Sequence, residues 1–180
     1  MGNLEVKIQY PSKITLNYFY EQFINFLGRK SFNIFLNNFL IILISIFSGI
    51  GLITVVFIGL FSFSGSITYA LFLKLGFIKT IIIFSGLFHL YLELLAGFLA
   101  MDAFVVFYGS FYKSIKNKSL LNFKINVKEK FIPLILRITI LLFLAAFLEV
   151  FWSTWWVYII TKQYIPWYYF YSGIYSAIVT

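Results

Sequence analysis

Residues 39–61 read FLIILISIFSGIGLITVVFIGLF, a run without a single charged side chain. As an α-helix this run extends about 34 Å at 1.5 Å per residue, enough to cross a hydrocarbon layer of roughly 30 Å. Lipid cannot hydrogen-bond a backbone, so a segment of this kind satisfies its own amides and carbonyls as a helix. Ser45, Ser48, Gly49, Gly51 and Gly59 are spaced along it. Small side chains let membrane helices approach closely, and Ser45 and Gly49, four apart, mark one face as a packing seam.

The rest of the chain agrees with that setting. Across 180 residues it is 62% hydrophobic, 23% aromatic and only 11% charged, which excludes a water-soluble monomer. The lack of cysteine removes disulfides, thiolate metal sites and a cysteine nucleophile, and a single histidine argues against a zinc site. No metal and no cofactor are expected. Nor does a secretory signal stand out, since no small-residue cleavage site follows a brief apolar core near residues 1–11.

Working outward gives an all-α, polytopic transmembrane helical bundle. It has three spans, up to five membrane-embedded helices and an N-terminal amphipathic interfacial helix, all in one transmembrane domain, 1–180. Residues 12–36 open on Ser12 as a helix N-cap and then interleave Leu16, Phe19, Phe23 and Ile24 with Asn17, Glu21, Gln22 and Asn25, as in a helix lying among headgroups. Residues 62–79 are broken by Ser62, Ser64, Gly65 and Ser66, and by Lys74 and Lys79 around Gly76. They read as re-entrant or interfacial. Residues 80–112 contain a complete span.

A basic loop, 113–130, follows, in which Phe123, Ile125 and Val127 alternate with Lys124, Asn126 and Lys128. That weak two-residue period hints at a short strand or a surface-hugging segment. The last span, 131–160, carries Pro133 in its first turn, Arg137 able to snorkel, and Trp152, Trp155, Trp156 and Tyr158 as an aromatic belt. Residues 161–180 form an aromatic tail.

The net charge of +8 is concentrated beside the apolar runs, at Arg29 and Lys30 and in the 113–130 loop. The positive-inside rule puts the N-terminus and this loop in the cytoplasm of a multi-pass cell-membrane protein, with 39–61 crossing outward, 80–112 returning and 131–160 crossing outward again. Lys74 and Lys79 then fall on the far side. No segment outside the membrane is long enough to build a basic nucleic-acid face, so no nucleic acid is expected.

Three ionisable residues in the apolar runs decide what the bundle could do. His89 and Glu93 are four apart on one helical face, followed by Ala96, Gly97 and Ala100, and Glu149 comes just after Ala145 and Ala146. Charge at membrane depth is costly, so such groups face a protein interior, pair, or serve function. The expectation is that His89, Glu93 and Glu149 meet inside the bundle, whereas Asp102, half a turn round from Glu93, faces elsewhere. Three roles fit: protonated carboxyls joining helices by hydrogen bonds, a proton or cation path, or catalysis. The last has no nucleophile elbow, no HExxH and only one histidine to draw on.

The segment HLYLELLAG, residues 89–97, resembles the Pro-His-Gly-x-x-Glu-Leu-x-Ala signature of the stage II sporulation protein M family of integral membrane proteins. Phe88 and Leu90 stand where that family has Pro and Gly. AAFLEVF, residues 145–151, is similar to its closing Ala-Ala-x-x-Glu-x-Phe segment, and Asn37 and Asn38 ahead of Gly49 and Gly51 are similar to its first helix. The resemblance implies a polytopic helical scaffold without catalytic activity, with Asn37 and Asn38 joining the buried polar network. Its partners would be the lipid bilayer and other membrane subunits or a second copy of itself. A transporter or channel component is the alternative.

Overall fold

The computed structural model describes residues 16–48, 69, 72–164, 168, 172 and 174, with side-chain surroundings from Glu21 onward. The described residues form helices and no strand: α1 (Leu16–Ser48), α2 (Phe77–Ser85), α3 (Phe88–Lys116), α4 (Leu121–Asn126), α5 (Ile132–Leu148) and α6 (Thr154–Thr161). π-turns at Val127–Phe131 and Glu149–Ser153 join α4, α5 and α6 into one rod. Three stretches are long and apolar enough to cross a membrane: Glu21–Ser48, Phe88–Lys116 and Leu121–Thr161. The chain is therefore an all-α membrane bundle.

Several boundaries differ from the sequence reading. α1 runs unbroken from Leu16, within the 12–36 segment, into the 39–61 run, so the described part of the expected interfacial helix and the start of that span are one helix. Residues 12–15 and 49–61, with Gly49, Gly51 and Gly59, lie outside the described residues. Of 62–79, the structure describes Tyr69, a helical stretch at 72–75 and the start of α2. Gly76 divides these at φ 80°, a left-handed backbone that glycine adopts without the Cβ penalty.

The 113–130 loop is a helical hairpin rather than a strand or an open loop. α3 closes on a Schellman turn, in which Ser119 N–H bonds the Ser114 carbonyl at 3.1 Å and Lys118 N–H bonds the Ile115 carbonyl at 3.2 Å. Helix resumes at Leu121 because Phe123 and Val127, four apart, share a helical face. Phe123 packs on Phe107 and Phe111 of α3, and Val127 packs against the core. That burial overrides the two-residue alternation. Pro133 consequently sits inside a helix that began twelve residues earlier. It has no N–H to offer the Glu129 carbonyl, and the wide turn before it, where Ile132 N–H bonds the Val127 carbonyl, takes up the disturbance.

The core lies between α1, α3 and α5. Ile42 and Ile46 of α1, Ala96, Ala100 and Ala103 of α3, and Ile138 and Leu142 of α5 are buried together, closed at one end by Phe131. Paired contacts fix the helix directions. Phe35 meets Phe143 and Phe47 meets Phe131, so α1 and α5 are antiparallel. Asn38 meets Glu93 and Phe47 meets Phe107, so α1 and α3 run the same way. The layers at His89 and Phe107 are about 27 Å apart along α3, close to the hydrocarbon thickness.

This parallel pair corrects the expected topology. The stretch of α1 before Phe35, with Arg29 and Lys30, lies toward the Glu149–Ser153 end, where α1 also packs. The hairpin lysines lie at the opposite end. Both basic groups therefore cannot share one side of the membrane, and α1 and α3 do not alternate in direction. Lys79 does lie at the end away from the hairpin, its ammonium against Tyr164.

Lys118 occupies the left-handed position of the Schellman turn at φ 49°, where a side chain is strained. Lys118→Gly is expected to raise stability by up to about 1 kcal/mol, read as a later unfolding midpoint in detergent.

Candidate functional site

Antiparallel packing of α3 on the α5–α6 rod sets the geometry. His89 Nδ1 and Ser153 Oγ are 2.7 Å apart, and both residues are buried. Stepping one turn inward from that contact brings Glu93 opposite Glu149. Beyond them lie the small residues Ala96, Gly97 and Ala100 of α3 and Ala145 and Ala146 of α5, all of them buried. The interface is thus a ladder with two polar rungs near one end and small apolar rungs beneath them. The alanines and glycine keep the helices close enough for short side chains to bridge.

α1 contributes the third wall. Asn38 Nδ2 donates to Glu93 Oε1 at 2.8 Å, and Ser45, two turns further on, is buried in the same helix interface. Glu149 lies one turn from Ser153 on the side of Glu93, and among the described residues its carboxylate accepts no hydrogen bond. It opens the second π-turn, and its backbone carbonyl accepts from Thr154 Oγ1 at 3.3 Å. π-turns relieve the i−4 hydrogen-bond pattern and re-aim the side chains that follow.

Asn37 does not join this group. It is one residue, about 100°, from Asn38 on a helix, so the two cannot both face α3, and Asn37 is exposed. Asp102 is likewise exposed, on the outer surface of α3. His89, Glu93 and Glu149 share one region of the bundle, but His89 is bonded to Ser153 and Glu93 to Asn38 rather than to one another. Among the described residues, no group of three or more His, Asp and Glu could hold a metal ion.

Ser153 carried no signal in the sequence beyond being a small polar residue among tryptophans. A second missed feature caps the same end. The chain breaks between α2 and α3 at Gly86, leaving carbonyls without helical partners. Trp152 Nε1 donates to the Gly86 carbonyl at 2.8 Å, and Trp156 Nε1 donates to the Ile82 and Ile83 carbonyls, each at 3.2 Å. Gly86 is required here, because a Cβ would fall within the Trp156 indole. The tryptophans expected as an aromatic belt are therefore also the cap of α2.

No family model, curated protein or solved structure matches the chain.

A double-mutant cycle on Asn38→Ala and Glu93→Ala is expected to give a coupling energy of about 0.5–2 kcal/mol, the range for interhelical hydrogen bonds in membranes. The same cycle with Asn37→Ala should give a coupling near zero. Gly86→Ala should cost about 1–3 kcal/mol through overpacking against Trp156, measured by unfolding in detergent.

Proposed function

We propose that the chain is a non-catalytic integral membrane scaffold or complex subunit. The observation that carries this reading is where the polar side chains are used. Asn38 with Glu93, His89 with Ser153, Trp152 and Trp156 with the α2 end, and Tyr108 Oη with the Phe47 carbonyl at 2.7 Å each tie one helix to another. Groups committed to interhelical bonds hold an architecture, and one rich in exposed apolar surface offers that architecture to other membrane components.

The resemblance to the stage II sporulation protein M family enters the same proposal. Its three sequence fragments, around Asn38, from His89 to Gly97 and from Ala145 to Phe151, are drawn from α1, α3 and the α5–α6 rod, which converge at Glu93. Fragments far apart in sequence that meet in space are expected of a motif selected as a unit. One observation favours the alternative of a transporter or channel component: Glu149 faces Glu93 with no hydrogen bond to its own carboxylate among the described residues.

Glu93→Gln and Glu149→Gln separate the two. An amide still hydrogen-bonds, so on the scaffold reading both variants fold and assemble as the parent does. Leucine at either site should lower the yield of folded protein and its stability by about 1–3 kcal/mol. Proton or cation flux in liposomes that is present in the parent chain and abolished by the Gln variants, with assembly intact, contradicts the scaffold reading.

A further inference from the structure

Asp102 and Arg137 are both exposed, and among the described residues neither has an ion pair or a side-chain hydrogen bond. Their position makes this costly. Phe107 meets Phe131 with ring centroids 5.2 Å apart, which sets α3 level with α5 at one layer, inward of the lysines Lys113 and Lys130. Asp102 lies five residues inward of Phe107, and Arg137 lies six residues inward of Phe131. Both are therefore about 8–9 Å inside that layer, at the same depth. An arginine can snorkel from there, but an aspartate is too short to reach water. The surface around them is apolar, with Phe98 and Val105 flanking Asp102 and Leu136 and Ile140 flanking Arg137, all exposed.

We infer that this face binds a second copy of the chain, with Asp102 of each copy paired to Arg137 of the other. The inference specifies the self-assembly part of the scaffold reading and rests on it. Two copies inserted in the same orientation are related by a two-fold axis along the membrane normal, an operation that preserves depth and makes every contact reciprocal. Complementary charges at equal depth on one chain satisfy each other twice under that operation. A partner of another kind would have to bring its own matched pair at the same depth.

The decisive experiment uses two differently tagged full-length chains co-expressed in membranes, with recovery of one tag on the other as readout. The parent chains should co-purify. Asp102→Arg in both copies, or Arg137→Asp in both, should lose most of that recovery. One copy carrying D102R together with another carrying R137D should restore it, because the opposed charges then meet only across copies. If the mixed pair recovers no better than either variant with itself, the inference is overturned, since a bond within one chain would not be rescued this way. A monomeric parent chain overturns both this pairing and self-assembly, whereas a parent dimer without mixed-pair rescue removes only the pairing.

Discussion

A carboxyl group inside a membrane-spanning helix has little water to hydrogen-bond, so its partner must come from another helix. Glu93 occupies that position, and the bundle is arranged around meeting its requirement. Asn38 supplies the donor from α1, and Glu149 faces it from the α5–α6 rod. The neighbouring rung, His89 to Ser153, fixes the register of α3 against that rod. Once register is set, the small residues beneath fall opposite one another, and the helices close on Ala96, Ala100, Ala103, Ala145 and Ala146 without leaving gaps for lipid to fill.

The two ends of the bundle are finished differently. At the polar end, the indoles of Trp152 and Trp156 take carbonyls that the break at Gly86 leaves open, fastening α2 to α6. At the other end, Phe107 gathers Phe47, Phe123 and Phe131, and the hairpin lysines begin just beyond. The polar end therefore depends on directional bonds with one geometry, and the aromatic end on contact area and edge-to-face packing. Glu93, Glu149 and His89 are concentrated where directional bonds dominate.

The sequence made the all-helical membrane architecture plain, because charge-free runs of this length have one physical solution. It also singled out Glu93, His89 and Glu149, since ionisable groups in apolar helices must be accounted for, whereas Asn38 entered together with Asn37 only through the family resemblance. The pairing was not legible. His89 and Glu93 share a face, but whether each bonds the other or a residue on another helix depends on register, and the register rests on Ser153, a residue with no distinguishing neighbourhood in one dimension. Asn37 and Asn38 are equivalent in a string and inequivalent on a helix 100° per residue around. The direction of α1 relative to α3 does not follow from the positive-inside rule, because that rule counts charge by loop and Arg29 and Lys30 lie within a helix. The two-residue period at 123–127 gave way to tertiary packing of Phe123 on α3.

Oxidative cross-linking of engineered cysteine pairs in the native membrane tests the arrangement most directly, since the chain supplies no background thiol. With α1 and α3 parallel and joined at Glu93, cysteines at positions 38 and 93 should form an intrachain disulfide readily, and cysteines at 38 and 107 should not. Efficient linkage of 38 to 107, with none of 38 to 93, would mean that α1 runs opposite to α3 and that no three-helix node forms around Glu93.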